Sequence, residues 1–154
     1  MNIVESETYR IRHMNEGDIN NVYEVERKSF PLPFGEVLIG NIFYTAPELC
    51  FIAERSSEIV GFLLGGYTPI PKRAHILSIA VLEEHRGQGL GRQLLTYFLD
   101  SIRKLGYQSV KLEVNIDNYK AIKLYEEFNF KIESRIRKYY QDDSDAYLMI
   151  RIEE

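Results

Sequence analysis

The sequence predicts a mixed α/β fold, and three observations carry that prediction. Strand-length apolar runs alternate along the chain with segments whose apolar residues recur at helical spacing. The apolar run Ile76-Leu77-Ser78-Ile79-Ala80-Val81 is followed by the glycine-rich stretch Arg86-Gly87-Gln88-Gly89-Leu90-Gly91 and a helical run from Arg92 to Leu105, the order of a parallel crossover. With 154 residues, 45% of them hydrophobic and 27% charged, the chain suits a single domain spanning residues 1–154 around its own core.

The elements follow in order. Tyr9 to His13 reads as a strand. Asp18 to Phe30 reads as a helix, because Ile19, Val22, Tyr23 and Val25 recur at helical spacing; Asn15 is a candidate cap, and Pro31-Leu32-Pro33 ends the segment. Phe34 to Tyr44 suits a short second helix. Leu49 to Glu54 and Ile59 to Thr68 pattern as a hairpin closed through Arg55-Ser56-Ser57-Glu58, with Pro69 to Arg73 an exposed loop. Strand Ala74 to Val81 then leads through the glycine-rich turn into a helix that stops near Gly106. Strand Ser109 to Val114, helix Asn118 to Asn129, strand Lys131 to Tyr140 and a last strand Ala146 to Ile152 complete the chain.

Composition narrows the function. A net charge of -4 and a pI near 5.5 argue against a nucleic-acid binder held by phosphate contacts. Cys50 is the only cysteine, so no intramolecular disulfide forms, and its apolar strand setting reads as a buried structural thiol rather than an acyl-carrying nucleophile. The stretch Met1-Asn2-Ile3-Val4-Glu5 lacks the layout of a signal peptide, and no apolar run approaches the roughly 20 residues of a membrane helix. A cytoplasmic protein with no nucleic-acid or membrane partner is expected.

The glycine-rich turn carries the first functional signal. Glycines let backbone approach a ligand closely, and a helix start offers N–H groups at its partial positive end, so the turn suits a phosphate or pyrophosphate. A dinucleotide fingerprint would need glycine where Arg92 stands, and no Lys-Ser/Thr pair follows as in a P-loop. The remaining pattern, R-x-x-G-x-G, resembles the pyrophosphate site of the GNAT acetyltransferase superfamily. Further segments resemble its N-terminal (N-alpha) protein acetyltransferases of the arrest-defective and RimI type: His75 to Glu84, Leu112-Glu113-Val114, Asn118 with Ala121, Leu124 and Tyr125, and Tyr139-Tyr140 followed by Asp145 to Met149.

The resemblance implies a mixed central sheet of about six to seven strands flanked by about four helices. It implies acetyl-coenzyme A as acetyl donor, with the backbone of Ile79-Ala80-Val81 along the pantetheine arm and Arg86, Gly87, Gln88, Gly89, Leu90, Gly91 and Arg92 around the pyrophosphate. Two arginines add charge there without titrating. Transfer of acetyl to an amine needs a neutral amine, a stabilised oxyanion and a protonated leaving thiolate. Glu113 is the leading candidate to activate the amine through a water; strand parity sets it with Lys111 and Asn115, opposite Val110, Leu112 and Val114. A polar face paired with Lys111 is the plain structural alternative. His75 is the second candidate base. Tyr125 would be the general acid and Asn118 a cofactor contact, since Asn118, Ala121, Ile122 and Tyr125 share one helix face; the alternative is a core aromatic, as Phe128 and Phe130 are read. His85, beside the turn, reads as exposed. No metal is required on this reading.

Substrate choice is the weaker part. The resemblance places the first residues of a protein N-terminus between Phe30 to Glu36, with Phe34 and Glu36 as contacts, and the late hairpin bearing Tyr139 and Tyr140. A ribosome or auxiliary subunit is a further candidate partner. Two departures stand out: Asn115 occupies a position where most relatives carry arginine, and Asn129 replaces a helix-stopping glycine. The alternatives are acetylation of a polyamine, another small amine or a lysine side chain, for which Asp142, Asp143 and Asp145 would line an acidic groove, and a non-catalytic acyl-coenzyme A sensor.

Overall fold

The computed structural model describes residues 8–153. They hold seven strands, β1 (Tyr9–His13), β2 (Cys50–Arg55), β3 (Glu58–Tyr67), β4 (Arg73–Val81), β5 (Ser109–Asn115), β6 (Lys131–Ile136) and β7 (Ala146–Ile152), and four α-helices, α1 (Ile19–Ser29), α2 (Glu36–Thr45), α3 (Leu90–Lys104) and α4 (Tyr119–Glu127). The hydrogen-bonded strand order is β1-β2-β3-β4-β5-β7-β6. The β4–β5 pair is parallel and the β1–β2, β2–β3, β5–β7 and β6–β7 pairs are antiparallel, which makes the sheet mixed. The chain packs as two compact units, one of residues up to Gly66 with Ser78–Ser101, the other of Tyr67–Leu77 with Ile102 onward.

In the first unit, the β2–β3 hairpin turns on Ser56 and Ser57, both at positive φ (52° and 66°), the left-handed pair that matches strand twist in a two-residue turn. Phe51, Ile52, Phe62, Leu63, Leu64, Leu94, Leu95 and Phe98 are fully buried, with Phe51 set edge-on to Phe98. Gly65 is required by close approach: a Cβ there would come within 2.6 Å of the Leu49 carbonyl. The first helix begins later than its pattern predicts. Glu16–Asp18 form a 3-10 turn opened by Asn15, whose backbone N–H donates to Asp18 (2.8 Å), and the α-helical part starts at Ile19.

In the second unit, β5 lies between β4 and β7 and is therefore central. The parallel ladder runs from Arg73↔Ser109 to Ile76↔Leu112, so Ile79 and Val81 lie beyond it on β4. Val110, Leu112 and Val114 face the core with Ile122, Phe130 and Met149. The α4 helix is shorter than predicted because Asn118 is its N-cap, and Asn129, at φ 68°, makes the left-handed stop beyond it. The predicted strand Lys131 to Tyr140 ends at Ile136. Beyond it the backbone turns through Lys138 (φ 52°) and Asp143 (φ 66°), so Tyr139 and Tyr140 sit in a connecting loop rather than on an edge strand.

Candidate active site

The polar face of β5 collects the candidate bases. Period-two alternation puts Lys111, Glu113 and Asn115 on one side and buries Val110, Leu112 and Val114 on the other, as read from the sequence. In the ladder His75 is the direct neighbour of Lys111, so His75 and Glu113 converge: His75 Nε2 lies 2.7 Å from Glu113 Oε1, and Lys111 Nζ lies 2.8 Å from Glu113 Oε2. Both predicted base candidates thus form one hydrogen-bonded couple, and the Lys111 pairing is present beside it. Burial pushes the Glu113 carboxyl up, but the bonds and charges of His75 and Lys111 outweigh it and hold the group below the usual carboxylate range. Among the described residues no third His, Cys, Asp or Glu joins the couple.

The β6–β7 loop closes over this carboxylate. Tyr139 faces Glu113; burial, followed by that negative charge, raises its pKa. Tyr140 is pushed up to about 12, by burial first and then by Tyr139, Glu113 and Asp142. The loop is held by its acidic residues. Asp145 accepts from Arg135 Nε (2.7 Å) and the Lys138 N–H (2.9 Å), and Asp142 accepts from the Ser144 N–H and hydroxyl. Asn115 donates to Ser144 Oγ at 3.0 Å.

Tyr125 is 6% exposed and packs edge-on to Phe130; burial, with a smaller contribution from Tyr140, drives its hydroxyl well above the ordinary tyrosine range. It is both a core aromatic and a protonated hydroxyl. Phe130 is buried and Phe128 half-buried. The Asn118 side chain accepts from the Ala121 N–H (3.3 Å), a capping bond.

In the first unit, the glycine-rich turn leads into α3. Gly87 and Gly89 hold φ of 79° and 78°, and a Cβ on either would meet no protein atom within 4 Å. Conformation demands glycine there, and the backbone face is open to a ligand. Arg86, Gln88 and Arg92 are exposed, whereas Leu90 is buried. Arg86 Nε donates to the Val81 carbonyl at 2.9 Å, folding the guanidinium back onto the strand end. His85 differs from its expectation of exposure: it is half-buried and bonds Tyr9 through Nδ1 at 2.8 Å.

Phe34 and Glu36 are exposed at the start of α2. Sequence reasoning missed what holds them. Glu26 is 1% exposed, and its carboxylate accepts the backbone N–H groups of Phe34 and Gly35. The available signal was a glutamate on the apolar face set by Val22 and Val25. Cys50 is buried, and burial pushes its thiol up to about 11, as a structural thiol requires.

Residues 19–130 match the acetyltransferase (GNAT) family. The chain belongs to the GNAT acetyltransferases. An N-alpha-acetyltransferase of Sulfurisphaera tokodaii is 31% identical over 92% of this acetyltransferase and 91% of its own length. The crystal structure of Ard1 from Thermoplasma volcanium is 34% identical with a TM-score of 0.89, covering 94% of this chain and 97% of that one. The ribosomal-protein-S18-alanine N-acetyltransferase of Escherichia coli is 27% identical with a TM-score of 0.82, covering 94% of each chain. The seven-stranded mixed sheet with four helices is the GNAT fold. Among the described residues no helix is long and apolar enough to cross a membrane.

Proposed function

We propose that this GNAT enzyme acts as one catalytic domain that acetylates the α-amino group of protein N-termini by direct transfer from acetyl-coenzyme A. One observation carries the choice of acceptor: the loop over Glu113 presents tyrosine hydroxyls, while Asp142 and Asp145, two of the three acids a polycation would need, are engaged in closing that loop. Relatives named N-alpha-acetyltransferase that align along nearly the whole chain support the same acceptor.

Acetyl-coenzyme A supplies the activated acetyl thioester. The Gly87 and Gly89 turn and the first turn of α3 offer N–H groups to its pyrophosphate, with Arg86 and Arg92 adding charge, and the β4 backbone at Ile79-Ala80-Val81 accepts the pantetheine arm. Glu113, ionised and bonded to His75, takes the proton of the incoming amine through a water, and His75 spreads the charge of that proton across the couple. Tyr125, kept protonated by burial, returns a proton to the departing sulfur, and Asn118 caps the helix that carries it. Tyr139 and Tyr140 bond the peptide backbone, and Phe34 with Glu36 receive the first side chain.

The test is a panel of peptides differing in their first residue, assayed beside spermidine and an N-terminally blocked lysine peptide, with free coenzyme A as the readout. Turnover of free N-termini is expected. Turnover of spermidine or the blocked peptide alone refutes the proposal, and no turnover anywhere favours an acyl-coenzyme A sensor.

A further inference from the structure

Both oxygens of Glu113 are engaged, and different elements engage them. Oε1 meets His75 of β4 and Oε2 meets Lys111 of β5 itself, while the carboxylate side chain is 8% exposed. The groups facing it are His75, Lys111 and, from the β6–β7 loop, Tyr139 and Tyr140; its partner across the β5–β7 ladder is the apolar Leu148. Of these, Lys111 carries a positive charge whatever the protonation of His75. A strand position two residues from Glu113 delivers that charge, with no loop involved.

We propose that Lys111 is a positioning residue for acetyl transfer: its ammonium clamps Oε2 so that Glu113 stays ionised with Oε1 turned toward His75. This rests on the reading of Glu113 and His75 as the proton-transfer couple. A desolvated carboxylate lacking a cation drifts toward its neutral form, which can accept no proton, and a carboxylate held on one oxygen alone rotates more freely. Lys111 supplies both restraints from a half-exposed position and needs no contact with either substrate. Burial pushes the Glu113 carboxyl up and the two bonded partners reverse that push, in line with this role.

The experiment pairs Lys111→Met with Lys111→Arg and reads two quantities. The first is the Glu113 carboxyl titration by carbon-13 NMR, assigned by its loss in Glu113→Gln. The second is the acid limb of kcat/KM for a free N-terminal peptide. In Lys111→Met both midpoints are expected to rise by about one pH unit, with coenzyme A affinity unchanged, and Lys111→Arg is expected to restore both. A carboxyl midpoint that does not move overturns the proposal. A midpoint that moves beneath an unmoved limb overturns instead the reading of Glu113 as proton acceptor, leaving Lys111 no part in the reaction. If the Met variant does not fold, Lys111→Gln is read in its place.

Discussion

The buried carboxylate of Glu26 receives the backbone N–H of Phe34 at 2.5 Å and that of Gly35 at 3.4 Å, tying the end of α1 to the start of α2. Its two acceptors do what a turn sequence alone does not: they pin a loop that contains two prolines and a Gly35 at φ 89°. Glu26→Ala leaves those N–H groups without their acceptor and is expected to cost about 1–3 kcal/mol, seen as a lower urea midpoint. If Phe34 contacts the peptide, KM for the peptide rises while coenzyme A affinity holds; an unchanged KM would remove the loop from substrate binding.

His75 and Glu113 are expected to act as a unit. Either His75→Gln or Glu113→Gln lowers kcat by about a hundredfold, and the double variant is little worse than the single ones, because each removes the same proton path. Steady-state kinetics on the three variants checks this. Multiplicative losses would mean that the two residues serve separate steps.

Burial, with Tyr140 as the smaller cause, raises the pKa of Tyr125, so its hydroxyl stays protonated well beyond neutral pH and the basic limb of the rate profile does not come from its ionisation. Tyr125→Phe is expected to reduce kcat by about a hundredfold and to leave coenzyme A affinity, measured by calorimetry, unaltered. Full activity in the phenylalanine variant would return Tyr125 to a packing role.

The turn before α3 predicts a binding phenotype without a chemical one. Arg86→Ala is expected to weaken coenzyme A binding about tenfold, the scale of one charge-assisted contact, while saturated turnover stays near wild type. Gly87→Val adds backbone strain at φ 79° and is expected to weaken binding as well. Dephospho-coenzyme A and free pantetheine, titrated in parallel, separate loss of pyrophosphate contact from general unfolding.

Arg12 sets the acid stability of the first unit through Asp18, which accepts both outer guanidinium nitrogens at 2.8 and 3.0 Å. Burial alone raises the Asp18 carboxyl, but the Arg12 bonds and the Asn15 N–H bring it below its ordinary value. A folded value below the unfolded one means the stabilisation is complete above the ordinary carboxylate range and is lost as pH falls through the lowered value. Asp18→Asn is expected to lose about 2 kcal/mol at pH 7 and to converge with the wild-type chain near pH 2. Urea unfolding at the two pH values reads the difference, and an equal loss at both would assign the effect to packing.

Strand and helix periodicity made most elements legible, and β1 and β7 match their sequence bounds residue for residue. The misjudged boundaries have local causes. Asn118 caps instead of entering its helix, Glu16–Asp18 wind as a 3-10 turn, and the β6 pattern continues past Ile136 although Lys138 at positive φ ends the ladder. Apolar alternation reports which faces are buried, but it does not report where hydrogen bonding stops.

What the sequence by itself determined was the family, the placing of glycines where backbone must adopt positive φ, and the polar parity of β5, because all three rest on local spacing. What only the tertiary structure decided was pairing across distance: that His75 bonds Glu113, that Lys111 takes the other oxygen, that Asp142 and Asp145 close a loop, and that Glu26 reaches Phe34. Those contacts depend on strand register and loop path and, for Glu113 and Glu26, on how a buried charge finds its partner. Each such charge must be bonded once it leaves water, but a linear pattern does not say by what.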